Sequence, residues 1–262
     1  MVASDVKEPT CLLDLLKEPV LAAQEFFVLA GRAFGNVFRR PHYGADIILQ
    51  MDSIGVGSIQ VVLFTGFFSG AVMALELSSA LADFGVTNRT GMVVAITVVR
   101  EMGPVMSALM VAGRNASGIA SELGSMKVSE QIDAMRALGT DPIKKLVTPR
   151  LIATSIMLPI LVVIADFVGL VGGWLIALFY LAMSSKQYWT SAWQALRWKD
   201  VGEGLFKPFI FAMVISLVGC YCGMRTTGGT QGVGRSTTQA MVIATVLILF
   251  FDLLITKIWV SN

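Results

Sequence analysis

The feature that most constrains this chain is a series of five long apolar runs. They lie between Asp52 and Asp83, at 91–121, at 151–185, after Pro208 and from Ala240 onward. A helix needs about 20 predominantly apolar residues to cross a bilayer, and these runs approach or exceed that length. Only 15% of the chain is charged, whereas soluble domains carry about 25% charged residues. The sequence therefore predicts an all-α membrane protein with five transmembrane helices.

The third run is too long for a single upright span. Residues 151–185, interrupted by Asp166, would form about 50 Å of helix at a rise of 1.5 Å per residue. Two spans would need more residues, so we predict one long helix that tilts or protrudes from the bilayer.

Small residues recur at every fourth position in several runs. The series are Gly66, Gly70, Ala74, Ser78, Ala82; Gly113, Ser117, Ser121, Ser125; and Ala165, Gly169, Gly173, Ala177. Small residues along one helix face allow two backbones to approach closely in lipid. The spacing is compatible with a dimer interface and equally with packing inside one chain.

The segment before the first run has a different pattern. Apolar residues recur at helical spacing over 11–40, but the run is broken by Lys17, Glu18, Pro19, Glu25 and Arg32. Such a pattern favours a helix lying in the membrane interface, although a helix packed on a soluble partner would look similar. We divide the chain into an N-terminal cytoplasmic or interfacial helical region at 1–50 and a five-span domain at 51–262.

The distribution of basic residues predicts the orientation of the chain. Five Lys and Arg lie in the N-terminal region, five at 122–150 and two at 223–238. The opposite side has six: Arg89, Lys186, Arg197, Lys199, Lys207 and Lys257. Because Lys and Arg concentrate in cytoplasmic loops, we predict a cytoplasmic N-terminus and an external C-terminus.

One apolar run, "MVVAITVVREMGPVMSALMVAG", contains the adjacent ionisable residues Arg100 and Glu101. Ionisable side chains within a span are costly and mark functional sites. Neighbouring residues point about 100° apart on a helix, so we expect each to have its own partner: the other subunit, Glu76 or a lipid head group. A kink at Pro104 would give polar groups room beside the pair. The alternative is an ion pair that only holds the bundle together.

The stretch "SEQIDAMRALG", about 129–139, predicts a short amphipathic helix in a cytoplasmic loop. Ser129 is a candidate N-cap and Gly139 a candidate helix end. Ile132, Met135 and Leu138 recur at every third position on one apolar side. Such a helix suits a socket in a partner protein, whereas the alternative is a helix lying on the bilayer surface.

Catalytic and metal chemistry find little support in the sequence. The segment "GTQGVGRS" resembles a phosphate-binding loop, but Arg235 replaces its lysine and no strand precedes it. His42 is the single histidine. We predict a transport subunit without its own ATPase site, metal or cofactor. The alternatives are an ion- or proton-coupled secondary transporter using Glu76, Glu101 and Asp166, and a membrane enzyme acting on lipid head groups.

The stretch at 98–150, "VVREMGPVMSALMVAGRNASGIASELGSMKVSEQIDAMRALGTDPIKKLVTPR", resembles the signature region of the MCE-associated ABC transporter permeases. Within that family it is most similar to the permease subunits of phospholipid transport (Mla) systems. The resemblance covers roughly 45–258 and is weaker over the first 40 residues.

The resemblance implies a homodimer in the bacterial inner membrane that moves phospholipid to a hexameric MCE-domain protein in the periplasm. A separate cytoplasmic ABC ATPase would bind ATP and Mg and would dock on the loop helix. A STAS-domain protein would bind that ATPase, and the system would maintain the lipid asymmetry of the outer membrane. Nucleic acid is not an expected partner.

The resemblance and the residues beside its motifs also suggest two sets of site residues. The predicted lipid-binding residues are Met73, Glu76, Leu77, Ala80, Leu81, Phe84, Arg100, Glu101 and Met102. The predicted ATPase-coupling residues are Glu130, Ile132, Asp133, Met135, Arg136 and Leu138.

Overall fold

The computed structural model describes residues 12–37 and 43–261, and every regular element in these residues is a helix. The helices are α1 (Leu12–Val37), α2 (Gly44–Asp83), α3 (Thr87–Val128), α4 (Gln131–Ala137), α5 (Ile143–Phe179), α6 (Ser185–Ala195), α7 (Trp198–Met224) and α8 (Gly229–Ser261). Five of them, α2, α3, α5, α7 and α8, are long and apolar enough to cross a membrane. The predicted five-span, all-α fold is confirmed.

The third span is one long helix, as predicted, although it ends at Phe179. Every span begins earlier than its apolar run, and the difference is largest for α7 and α8. Helix α7 starts at Trp198 and carries Pro208 in its interior, so Lys207 lies inside a span. Assigning Lys207 to an external loop was therefore wrong, although its removal leaves the basic asymmetry in the same direction. Helix α8 starts at Gly229, so the "GTQGVGRS" segment is helical and forms no phosphate-binding loop.

The small-residue series on α2 and α5 pack against each other within one chain. The two helices run parallel, with Gly66 beside Ala165 and Gly70 beside Gly169. A Cβ at Gly70 would collide with the Gly169 carbonyl oxygen. Lipid supplies no hydrophobic drive for association, so this close backbone contact stabilises the pair. The structure thus assigns these two series to intramolecular packing.

Helix α1 packs against the bundle through one face. Phe26 packs edge-on against Tyr221 at 5.6 Å between ring centroids, and the Tyr221 hydroxyl donates to the Ala22 carbonyl. Ala33 is fully buried, whereas Phe27 is largely exposed. One face of α1 is therefore held by the bundle and the other presents apolar side chains, which suits the predicted interfacial position.

Helix α3 has an irregular backbone around the Arg100–Glu101 pair. Val98–Met102 forms a π-helical segment, in which the Gly103 amide donates to the Val98 carbonyl. Pro104 follows directly and has no amide hydrogen to donate to the carbonyl four residues earlier. The distortion leaves backbone acceptors beside the two ionisable side chains.

Candidate functional site

Arg100 and Glu101 have separate partners, as their adjacent positions on a helix predict. Arg100 Nε lies 2.9 Å from Glu203 Oε2 and 3.7 Å from Asp200 Oδ1, both on α7. Glu101 Oε2 lies 2.6 Å from Lys207 Nζ. Arg100 pairs with α7 of its own chain rather than with Glu76. The pair therefore ties α3 to α7.

Lys207 is the centre of this network. Its ammonium donates three hydrogen bonds: to Glu101 at 2.6 Å, to the Thr256 hydroxyl at 2.8 Å and to the Arg100 carbonyl at 3.1 Å. Asp252 Oδ1 lies 3.0 Å from the same nitrogen. Three hydrogen bonds use the full donor capacity of an ammonium group, so Lys207 joins α3, α7 and α8.

The bond to the Arg100 carbonyl follows from the sequence of α3. In a regular helix that carbonyl would accept from the amide four residues later, which is Pro104 and has no hydrogen. Lys207 supplies the missing donor. In lipid an unsatisfied carbonyl costs several kcal/mol, so the proline and the buried lysine are matched features.

The network lies well inside α7, away from the start of the helix, and it contains several carboxylates. Lys207 lies nine residues into α7, about 14 Å from its start. The side chains of Lys207 and Glu203 are fully buried. Sequence reasoning missed Asp200, Glu203, Lys207 and Asp252. Two features of the sequence could have indicated them. Glu203 and Lys207 are spaced i, i+4, and Asp252 is a lone acid in the apolar stretch "LFFDLLIT".

A cavity of about 500 Å³ opens beside Arg100 where α3, α6 and α7 meet. Its lining consists of Arg89, Met92, Ile96, Arg100, Ser191, Gln194, Ala195, Arg197 and Asp200. Among the described residues that line it, none belongs to the predicted lipid-binding set on α2. The cavity beside Arg100 is therefore lined by residues outside that set.

The α2 residues of the predicted lipid site have mixed environments. Leu77 packs against Ala74, Val94 and Val98. Phe84 is 80% exposed. The half-buried members are Met73, Leu77, Leu81 and, on α3, Met102; the exposed ones are Glu76, Ala80 and Phe84. The shared face predicted by their spacing thus presents both core and open surface, and their role in lipid binding stays a prediction.

The acids of the alternative ion pathway are not connected. Glu76 is exposed on α2, and Glu101 is held by Lys207. Asp166 is half-buried, with its Oδ1 atom packed against Gly103, and this atom accepts no hydrogen bond from the described residues. No hydrogen bond or ion pair within residues 12–37 and 43–261 links these three acids, so the geometry gives the ion-coupled alternative no support.

The predicted loop helix exists as α4, but its start differs from the prediction. Ser129 donates back to the Ser125 carbonyl at 2.8 Å and so closes α3. Glu130, with φ of 58°, is the residue before α4 and makes no side-chain cap. Ser129 as an N-cap was therefore wrong. Gly139, with φ of 79°, ends the helix in the left-handed region as predicted.

The apolar side of α4 is divided between core and surface. Ile132 is buried with Leu123 and Val147, and Met135 packs at the edge of that cluster. Leu138, in contrast, is 83% exposed. Ile132 therefore anchors α4 to the bundle, while Leu138 is available to another molecule.

Ionic contacts fix α4 and its neighbouring segments to the spans. Asp133 accepts from Lys127 at 2.7 Å and from Arg136 at 3.1 Å. The hydrogen bond from Lys127 is the main reason that the pKa of Asp133 is lowered. Arg150 lies 2.8 Å from Glu122 and is itself buried. These contacts thus join α4 to α3, and α3 to α5.

Within residues 12–37 and 43–261, no cluster of three His, Cys, Asp or Glu side chains has a geometry that could hold a metal ion. His42 lies outside these residues.

Five apolar helices, of which α3, α7 and α8 are joined by a buried network of ionisable groups, define a multi-pass membrane protein of the transport class, since ionisable groups inside membranes mark transport pathways. Residues 47–258 match the family described as Permease MlaE. The chain therefore belongs to the MlaE permease family, which confirms the resemblance carried by residues 98–150.

Individual relatives cover nearly the whole chain. It is 43% identical to a probable ABC transporter permease protein of Rickettsia prowazekii, over 87% of this chain and 88% of that protein. It is 34% identical to the chloroplastic protein TRIGALACTOSYLDIACYLGLYCEROL 1 of Arabidopsis thaliana, over 88% and 66% of the two chains. It is 30% identical to the intermembrane phospholipid transport system permease protein MlaE of Haemophilus influenzae, over 88% and 89%.

Proposed function

We propose that this chain is the permease subunit of an ABC transporter that moves phospholipid between the bacterial inner membrane and a periplasmic MCE-domain partner. A separate ATPase drives the movement, which maintains the lipid asymmetry of the outer membrane. The names of the relatives support the transporter type and the phospholipid substrate. The cytoplasmic N-terminus and periplasmic C-terminus belong to this proposal and rest on the distribution of basic residues.

The observation that carries the proposal is the Lys207-centred network beside the arginine-lined cavity. A phospholipid has a charged head group that must cross an apolar region, and polar groups at span depth lower the cost of that passage. The network links α3, α7 and α8, so a movement of one helix changes the ion pairs of the others. A polar site connected to movable helices is what a lipid permease requires.

Coupling to the ATPase is assigned to α4. Leu138 offers an exposed apolar side chain, and the exposed Arg136 and Glu130 add charges around it. Ile132 anchors the helix, the Lys127–Asp133 pair ties it to α3, and the Arg150–Glu122 pair ties α3 to α5. Binding of an ATPase at Leu138 would therefore move a rigid unit. The STAS-domain protein would join through that ATPase, and ATP and Mg would be bound there.

A second copy of the chain is proposed to complete the membrane unit. The most apolar stretch of α8 is only 17% buried, compared with 67% for α7. The large apolar side chains exposed on α8 are Met241, Val242, Ile243, Val246, Leu249, Phe250, Leu253, Leu254 and Ile258. A homodimer would cover part of this face and would bring the exposed Glu76 of α2, and Phe84 directly after α2, into a shared cavity.

Native mass spectrometry of the transporter purified through a tag on this chain tests the proposal. We expect two copies of the permease, an ABC ATPase, an MCE-domain protein and bound phospholipid. Arg100→Lys keeps the charge but loses the planar fork of the guanidinium, so it should retain the subunits and lower the amount of bound lipid. A permease that purifies without any ATPase, or without phospholipid, would contradict the proposal.

A further inference from the structure

The cavity beside Arg100 has three arginines in its lining. Arg89 comes from the start of α3, Arg100 from its π-helical segment and Arg197 from the residue before α7. A volume of about 500 Å³ lies within the range of about 300–1,000 Å³ typical of small-molecule sites. Three cations around one concave surface attract an anion.

Two of these arginines have no competing acid. Arg89 and Arg197 form no ion pair with any residue in the described parts of the chain. Arg100 is approached by Glu203 and Asp200 at Nε, which leaves the terminal nitrogens of its guanidinium for a ligand. Asp200 is occupied as well, since its Oδ2 accepts from the Arg197 backbone amide at 2.9 Å. The balance of unpaired charge in the cavity is positive.

The wall that α6 contributes to the cavity is held in place. Tyr188 of α6 is fully buried, and its hydroxyl donates to the Leu170 carbonyl at 3.2 Å. Burial raises the pKa of that phenol. The Ser184 hydroxyl caps the start of α6 by accepting from the Gln187 amide. Because α6 is fixed on α5, Ser191 and Gln194 bring neutral polar groups to a preformed site.

We propose that this cavity binds the phosphate of a phospholipid head group, with Arg89 and Arg197 as phosphate ligands in addition to Arg100. Guanidinium groups bind phosphate oxygens in a bidentate geometry. Met92 and Ile96 give the remaining wall an apolar character suited to the carbons next to the phosphate. The inference rests on the proposed lipid transport, and it places a head-group site outside the predicted α2 set.

The test titrates the purified transporter with phospholipid in mixed micelles and quantifies bound lipid by mass spectrometry. The double variant Arg89→Gln/Arg197→Gln removes two charge-assisted phosphate contacts, each worth about tenfold in affinity. We expect at least a tenfold loss of apparent phospholipid affinity and unchanged affinity for diacylglycerol, which has no phosphate. The matched control Lys199→Gln removes one exposed charge close to Arg197 without altering the lining and should change the affinity less than about twofold.

Competition with inorganic phosphate tests whether the cavity recognises the phosphate anion alone or needs the rest of the lipid head group. Competition by phosphate in the wild type, lost in the double variant, would show that the anion alone is sufficient. Binding of phospholipid without phosphate competition would show that the head-group carbons are needed as well. Both results support the site.

Unchanged phospholipid affinity in the double variant, or an equal loss for diacylglycerol, overturns the inference. The inference is also overturned if the double variant loses the periplasmic partner but binds lipid normally, because the cavity would then be a protein contact. If the wild-type transporter binds no phospholipid, the proposed function itself fails.

Discussion

Replacing Lys207 with Met removes one cation from the most buried ion network of the chain. The side chain is fully buried, and its nitrogen lies 2.6 Å from Glu101, 3.0 Å from Asp252 and 3.5 Å from Glu203. Met has a similar length and fills the same space. The substitution therefore tests electrostatics and hydrogen bonding with little change in packing.

The expected loss of folding free energy follows from the charged groups that the substitution leaves buried and unpaired. Removing one partner of a buried ion pair costs about 3–5 kcal/mol, because the other charge stays buried and unpaired. Here three carboxylates lose their shared cation, and the Arg100 carbonyl loses its donor. A loss of that size reduces the folding equilibrium constant by about two to nearly four powers of ten.

The assay is thermal unfolding of the purified permease in detergent, with Lys199→Met as the matched control. Lys199 lies on the same helix and is exposed, so its replacement should change the free energy of unfolding by no more than about 0.5 kcal/mol. Adding Glu101→Gln to Lys207→Met should recover part of the loss, since one unpaired carboxylate disappears. A Lys207→Met protein that melts like the wild type would refute the buried network.

Three further predictions concern packing, coupling and topology. Gly70→Val should prevent the close approach of α2 to α5 and abolish stable folding, whereas Gly113→Val, which faces open space, should fold; both are read from size-exclusion profiles. Leu138→Asp should leave the fold intact and weaken ATPase binding about 30-fold, the effect of losing a contact worth about 2 kcal/mol, and normal affinity in a pull-down titration would remove Leu138 from the interface. A cysteine at Leu138 should react with an impermeant thiol reagent only from the cytoplasm and one at Trp193 only from the periplasm, and reaction of both from one side would overturn the orientation.

The sequence was sufficient for the number and type of the spans because apolar length is a local property. Span starts were harder to predict. Helix α7 carries Asp200, Glu203 and Lys207 in its first turns, so the hydropathy of "WKDVGEGLFKP" is that of a loop. Only the packing of α3 and α8 around these side chains explains why they are helical and buried.

The candidate site was predicted only in part, again because tertiary packing decides the rest. Helical geometry alone indicated that Arg100 and Glu101 would have different partners. The identity of those partners depends on contacts between residues more than 100 positions apart, which periodicity does not contain. Ile132 and Leu138 are a second example. They share an apolar pattern on α4, but tertiary packing buries Ile132 and leaves Leu138 exposed.

ATP-dependent transfer of labelled phospholipid from proteoliposomes to the MCE-domain partner tests the central claim most directly. The liposomes would contain this permease with its ATPase, and an ATPase-inactive variant would serve as the control. We expect transfer that requires ATP hydrolysis and falls when Arg100→Lys is introduced, while the subunits remain assembled. Transfer driven by a proton gradient without ATP, or ATP hydrolysis with no movement of phospholipid, would contradict it.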